Sequence, residues 1–250
     1  SKFKSRRINM VATGSNGAVT HIDRMNWNWD NLIMSNNWLG TGKHHHLTVT
    51  LGQSSSKRSA KTQTVEGVNV EQWKAMVTSL NSASSNFFAY SENYNQLLSF
   101  FTRVMYAYRE RYILTATYRI DGSSRFAGKN KWASFPSFAF AWRISNEPWF
   151  KVDAISSAKL RLGWGMVGNQ AIPSYQTLSR YTTSSAATHD TDSHQVITIS
   201  SLNLPNPDLK WETTTQYNAG LDIGFFKGRL TLGMDAYYKR TDDLLQTRIL

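Results

Sequence analysis

The sequence predicts an all-β, antiparallel protein, readable as the wall of a transmembrane barrel or as a soluble β-sandwich. Three observations carry this. Five segments alternate apolar and polar residues with a period of two. They run for roughly nine to eleven residues, the length of a tilted membrane-spanning strand, whereas soluble strands more often have about five or six. Connections are tight at one end of the strands and long at the other, the loop distribution of outer-membrane barrels.

The first expected strands are weakly patterned. One lies around Asn28 to Leu39 and is mixed in character. In the next, Leu47, Val49 and Leu51 alternate with Thr48, Thr50 and Gly52. Phe100, Val104, Tyr106 and Tyr108 then oppose Arg103, Met105 and Ala107. Five strong strands follow, at Tyr112 to Asp121, Phe138 to Ser145, Lys159 to Met166, Tyr217 to Phe225 and Leu230 to Lys239. One face of each is apolar or aromatic, as in Leu160, Leu162, Trp164 and Met166. The other carries Arg119, Asp121, Arg143, Lys159, Arg161, Asp222, Asp235 and Lys239. Because strand side chains alternate, each set occupies one side of a sheet. About eight strands are expected in all, with one more near the N-terminus.

Arg109-Glu110-Arg111 and Lys227-Gly228 read as tight hairpins. Gln53 to Asn93, Gly122 to Pro136 and Val167 to Thr213 read as long loops, the last with a Ser/Thr-rich stretch from Thr182 to Ser193. Asn146 to Ser157 breaks the rule, being on the short side without being short. Aromatics gather near strand ends (Tyr106, Tyr108, Tyr112, Phe138, Tyr217, Phe225 and Tyr238), as interfacial girdles require.

Composition narrows the classes. With 40% hydrophobic residues the chain is not disordered, and with no cysteine it has no disulfide framework. No apolar run reaches the roughly 18 residues of a membrane helix. A mean hydropathy of −0.44 is compatible with a barrel, because only alternate residues face lipid. The charge of +11 raises nucleic acid as a partner, but the bases are scattered with no basic helix or recognisable fold signal, so none is expected. Adjacent residues of a strand point to opposite faces, so His44-His45-His46 cannot all ligate one ion from a regular strand. His189 and His194, and Asp190, Asp192, Asp242 and Asp243, match no metal pattern. No catalytic set is identified, no cofactor is implied, and no enzymatic chemistry is expected. The basic start Ser1 to Arg7, without an initiator Met or apolar signal core, and the stop at Leu250 directly after a strand suggest an internal piece of a longer protein.

Several word-like stretches then identify a relationship. Tyr112-Ile113-Leu114-Thr115-Ala116-Thr117-Tyr118-Arg119-Ile120-Asp121-Gly122-Ser123-Ser124-Arg125-Phe126 comes first. Phe135-Pro136-Ser137, Ala141-Trp142-Arg143-Ile144-Ser145, Lys159-Leu160-Arg161-Leu162-Gly163-Trp164-Gly165 and Gly168-Asn169-Gln170 follow. Asn206-Pro207-Asp208-Leu209-Lys210-Trp211-Glu212-Thr213-Thr214, Gly220-Leu221-Asp222, Tyr237-Tyr238-Lys239 and Asp243-Leu244-Leu245 complete the string. In order and spacing it resembles the barrel domain of SusC/RagA-type TonB-linked outer-membrane receptors of Bacteroidota. The resemblance is clear over 97–250, looser over 27–52 and weak over 1–23.

The resemblance implies part of an antiparallel, up-and-down transmembrane barrel of about 22 strands with a plugged lumen. No plug domain or TonB box is visible in this chain. It further implies import of glycans, oligosaccharides or peptides beneath a SusD-like lipoprotein, driven through TonB, with outer-membrane lipid around the wall. Arg103, Arg119, Asp121, Arg143, Arg161, Asp222 and Asp235 are the expected lumen-facing residues. Gly122, Ser123, Ser124, Arg125, Phe126, Pro136, Gly168, Asn169, Asn206, Pro207, Lys210, Trp211 and Glu212 are expected to be structural.

Turn chemistry supplies a physical reading of these motifs. Gly122 would begin a rim turn at positive φ, and Pro136 would be the first residue of a returning strand. Asn206-Pro207-Asp208 would order the re-entry from the longest loop, with Trp211 at the membrane interface. Two other functions remain open at this point. One is a soluble carbohydrate-binding sandwich that stacks sugars on Trp132, Trp149 or Trp211. The other is a siderophore-type TonB receptor.

Overall fold

The computed structural model describes residues 2–13, 16–36, 44–68, 85–187, 195–203 and 205–246. These form the strands β1 (Lys2–Thr13), β2 (Asn16–Asn36), β3 (His45–Val68), β4 (Ser85–Tyr108), β5 (Tyr112–Ser123), β6 (Trp132–Arg143), β7 (Ile155–Asn169), β8 (Arg180–Ala187), β9 (Gln195–Asn203), β10 (Glu212–Phe225) and β11 (Leu230–Asp242). Nine of them make one sheet in the order β1-β2-β3-β4-β5-β6-β7-β10-β11, and β8 and β9 pair separately. Chain neighbours are sheet neighbours except where the β8–β9 hairpin is inserted, as an up-and-down wall requires. No helix among the described residues is long and apolar enough to cross a membrane, which says nothing of strands.

Residues 1–29 and 54–97 make one compact unit. There β1 and β2 pair antiparallel from Lys2↔Trp27 to Thr13↔Asn16. Thr20 and Thr64 share a hydroxyl hydrogen bond of 3.1 Å, and Lys61 Nζ lies 3.6 Å from Glu92 Oε1.

Residues 30–53 and 98–250 make the second unit. Register here is continuous across strands. Ala141, Arg161, Gly220 and Asp235 lie in one cross-strand row over β6, β7, β10 and β11, and Ala139, Gly163, Asn218 and Tyr237 lie in the next. Rows of this kind keep polar side chains on one face and Phe138, Leu162, Trp164, Tyr217 and Tyr238 on the other. Among the described residues nothing forms a second layer on the apolar face: Leu162 is 44% and Tyr238 64% exposed. A sandwich would bury that face, so the sandwich reading is set aside. The buried hydrophobic residues among those described are Phe126, Phe135, Ala158 and Trp211. Three of these four sit at the long-loop end of the strands, so what core the unit has is there.

The strands are longer than their alternation suggests. β5, β6, β7, β10 and β11 have 12, 12, 15, 14 and 13 residues. Polar extensions beyond the apolar band break the pattern without breaking the ladder, since backbone pairing is indifferent to side-chain type. The expected loop from Gln53 to Asn93 is mostly strand, because β3 continues to Val68 and β4 begins at Ser85. The expected loop from Val167 to Thr213 contains the β8–β9 hairpin. β6 begins at Trp132 and ends at Arg143, so Ser145 lies in a short 3-10 turn instead. Leu39, residues 69–84, His189, Asp190, Asp192 and His194 lie outside the described residues.

Both tight hairpins are present. Arg109 and Glu110 have φ of 48° and 56°, and Arg111 N donates to Tyr108 O at 2.9 Å. This is a type I′ turn made without glycine. The other hairpin uses Gly228 at φ 82°, the conformation that favours glycine.

Candidate functional site

The quoted motifs converge. Ser123, at the end of β5, is fully buried, and its hydroxyl hydrogen-bonds Gln170 Oε1 just past β7. Arg125 N donates back to Ser123 Oγ at 3.2 Å, and its guanidinium Nη1 donates to Gln170 O at 2.7 Å. Phe126 is thereby turned inward, its ring 5.2 Å from that of Trp211. Phe135 meets the same indole edge-on at 5.5 Å. Trp211 Nε1 donates to Lys131 O at 3.4 Å, which satisfies its polar edge inside the cluster.

The return segment is tied down by side chains the motif supplies. Asn206 Oδ1 accepts from Asp208 N at 3.2 Å, an Asx turn beside the exposed Pro207. Asn130 Nδ2 donates to Asp208 O at 3.0 Å. Asn169 Nδ2 donates to Glu212 Oε1 at 3.0 Å, and Glu212 Oε2 accepts from Leu245 N at 3.1 Å. Lys210 Nζ and Asp243 Oδ1 are 2.9 Å apart. Ser124 occupies the turn after β5. The whole is a closed lattice of aromatic packing and hydrogen bonds around one rim.

Three expectations about these residues are corrected. Gly122 is not a left-handed turn residue: it lies within β5 opposite Trp132, whose ring passes 2.6 Å from where a Cβ would stand. Steric clearance, not backbone freedom, requires glycine there. Gly168 has the same cause, with the Phe135 ring over it. Pro136 is the fifth residue of β6, opposite Tyr118, not its first. It precedes the β6–β7 ladder, which begins at Ser137↔Gly165, so its missing N–H costs that ladder nothing. Trp211 is 5% exposed and buried in the cluster, not displayed at an interface or for sugar stacking.

The polar face carries a second constellation. Arg161 Nε and Nη2 donate to Asp222 Oδ2 and Oδ1, both at 2.8 Å, in the planar two-bond geometry that favours arginine. Its Nη2 also lies 2.9 Å from Asp235 Oδ1. Gly220 sits between Arg161 and Asp235 in the cross-strand row. A Cβ there would stand 2.5 Å from Asp235 Oδ1 and 2.8 Å from Arg161 Cζ. On β5, Arg119 Nε donates to Asp121 Oδ1 and Oδ2 at 2.7 and 2.9 Å, and Nη2 reaches the buried Ser99 hydroxyl at 2.9 Å. Arg143 is 3.9 Å from Glu110 Oε2, whereas Arg103 is exposed without an ion pair among the described residues.

The short-turn end has its own polar centre, which sequence patterning misses. Glu147 is buried between strand ends. It accepts from Tyr112 Oη at 2.6 Å and Trp142 Nε1 at 3.0 Å, and Arg111 Nη1 is 3.4 Å away. The Tyr112 and Trp142 hydrogen bonds, with the Arg111 charge, hold its carboxyl below the ordinary carboxylate range against the opposing effect of burial. Its partners lie 35, 5 and 36 residues away. No local spacing signals them. Ser99 was missed for the same reason.

His45 Nδ1 is 2.7 Å from Tyr106 Oη, with its ring packed on Tyr108 at 4.9 Å, and His44 is exposed in the turn. No group of three or more His, Cys, Asp or Glu suited to a metal occurs among the described residues.

Comparison with known proteins places the chain. The family described as TonB dependent receptor-like, beta-barrel matches residues 3–250. TonB-dependent receptor SusC of Bacteroides thetaiotaomicron is 43% identical over 155 residues, 61% of this chain and 16% of that protein. TonB-dependent receptor P26 of Formosa agariphila is 31% identical over 246 residues, 97% of this chain and 24% of that protein. Among solved structures, the RagAB peptide transporter aligns with a TM-score of 0.77 at 26% identity, covering 92% of this chain and 25% of that one. The chain thus spans about a quarter or less of the length of these relatives. The match runs through the weakly patterned N-terminal strands as well as the motif region. These relatives are named as receptors and transporters, and their family is one of outer-membrane proteins. The chain is a segment of outer-membrane barrel wall and belongs to the TonB-dependent receptor-like β-barrel family.

Proposed function

We propose that this segment is part of a TonB-dependent active transporter that imports oligomeric nutrients, glycans or peptides, together with a SusD-like lipoprotein. It has no enzymatic chemistry of its own. The observation that carries the reading is the family match over residues 3–250, joined to relatives that include SusC and the RagAB peptide transporter. The two-faced sheet supports it. The apolar face meets lipid, and the face bearing Arg103, Arg119, Asp121, Arg143, Arg161, Asp222 and Asp235 lines a water-filled or plugged interior. Arg119 and Arg161 are already paired with carboxylates, so their first role is to stiffen the wall. Arg103 is left available to a plug or to passing cargo.

The test is uptake by cells in which the full-length gene carrying this segment is deleted. Labelled oligosaccharides, oligopeptides, their monomers and ferric siderophores are compared. The expected result is loss of one oligomer class with monomer and iron uptake intact, restored by the full-length gene. Loss of iron uptake alone would assign a siderophore receptor, and unchanged uptake of all four would overturn the transporter reading.

A further inference from the structure

Three turns at the short-turn end share a feature that neither the family motifs nor the wall chemistry uses. In each, an aromatic residue is followed directly by a base: Tyr108-Arg109, Phe150-Lys151 and Phe226-Lys227. The structure brings them to one rim, since Arg109 begins the β4–β5 turn, Lys151 lies between β6 and β7, and Lys227 lies between β10 and β11. Phe226 N donates to Ala154 O at 3.1 Å, which sets two of these turns side by side.

Trp149, the neighbour of Phe150, joins the apolar side of the sheet. Trp149 packs on Trp142 at 6.4 Å, and Trp142 continues the apolar row of β6. Trp149 and Phe226 remain 64% and 60% exposed. The Arg109 guanidinium lies over the Tyr108 ring at 5.2 Å, on that same side. The bases are not neutralised locally: Arg109, Lys151 and Lys227 have no carboxylate partner within 4 Å among the described residues. Across these turns Arg109, Arg111, Arg143, Lys151, Lys227 and Arg229 face only Glu110, Glu147 and Asp153. Exposed aromatics beside unpaired cations, continuous with a lipid-facing surface, form the chemistry of a headgroup layer. Short turns are the periplasmic ones in such barrels.

We infer that this rim binds acidic phospholipid of the periplasmic leaflet, with Trp149 and Phe226 seated at the interface and Arg109, Lys151 and Lys227 taking headgroup phosphates. The inference rests on the membrane-barrel reading but is independent of which cargo is carried, so it can fail while transport stands. The full-length receptor is reconstituted in nanodiscs of phosphatidylcholine with a minor fraction of phosphatidylglycerol, and co-retained lipid is measured after detergent extraction. Removing a surface cation should weaken retention of the acidic lipid about fivefold, and the triple variant R109Q/K151Q/K227Q roughly a hundredfold. Phosphatidylcholine retention should not change, nor should K129Q/K131Q at the opposite rim reduce the acidic lipid. Heat-modified migration on gels verifies that each variant barrel is folded. Equal retention by the triple variant and the parent overturns the proposal. So does equal loss of both lipids, which would mark a nonspecific apolar annulus. Unchanged lipid retention with loss of a crosslinked periplasmic protein would reassign the rim to protein docking.

Discussion

At the long-loop rim, Ser123, Phe126, Phe135 and Trp211 are buried, with the Ser123 hydroxyl bonded to Gln170 and the Trp211 N–H to the Lys131 carbonyl. At the short-turn rim, Trp149 and Phe226 stand in the open, and several bases lack an acidic neighbour. Both rims are rich in aromatics and both terminate the same strands, yet one is knitted shut and the other displayed. Loop length explains part of the contrast, although Trp149 itself stands in the longer connection between β6 and β7. A long connection loses conformational entropy on ordering, which inward packing has to offset. A two-residue turn is already fixed by its hydrogen bond and can point its side chains outward.

The largest expected effect follows from the closed rim. Trp211→Ala removes the ring on which Phe126 and Phe135 meet and should cost roughly 3–5 kcal/mol, read as a lowered denaturant midpoint for the full-length barrel. Trp149→Ala at the open rim removes a ring that packs on Trp142 and Phe150 without being buried, and should cost only about 1 kcal/mol. Equal losses at the two would erase the distinction between the rims.

Between the rims the contrast is between faces. Leu162→Arg puts a charge on the apolar face and should cost about 2–4 kcal/mol if that site lies near the bilayer midplane. Gly163→Ala, next in chain but on the polar face, meets nothing closer than 3.7 Å and should be mild. Assembly into the outer membrane, followed by gel mobility, separates the two. Equal tolerance would deny Leu162 a lipid-facing position. On the polar face Gly220→Ala should be worse than Gly163→Ala, by about 1–3 kcal/mol, because its methyl group would collide with the Arg161–Asp235 contact. Adding Asp235→Ala should recover part of that loss in a double-mutant cycle.

The smallest effect sharpens the short-turn rim through pH. The folded-state pKa of Glu147 is depressed, so its contribution to stability is present above the ordinary carboxylate pKa. It is lost as pH falls through the lowered value. Glu147→Gln should flatten that acid limb of the unfolding profile and leave the neutral limb parallel to the parent. An unchanged acid limb would mean that Tyr112 and Trp142 do not hold the carboxylate in solution.

Much of the wall was legible from side-chain period alone. The two faces of β5, β7, β10 and β11 follow from alternation, because a strand has no other way to distribute its residues. The ends of the strands were not legible. β3 and β4 run on through residues such as Ser54, Ser55, Ser56, Ser85 and Asn86, where alternation lapses but hydrogen bonding to neighbouring strands continues. By its missing donor Pro136 suits a strand start. Only the register shows that the ladder it would interrupt begins one residue later.

The motif residues were legible as a set but not as a shape. The spacing between Ser123 and Gln170, or between Phe126 and Trp211, carries no periodic signal, since 47 and 85 residues separate partners in contact. Sequence by itself determined the strand class, the sorting of charge from hydrocarbon and the membership of a receptor barrel family, because these depend on local pattern and on words. Tertiary structure decided why Gly122, Gly168 and Gly220 must lack a Cβ, why Trp211 is buried, and which cations stand unpaired. Those properties arise only when strands distant in the chain are set edge to edge at one register.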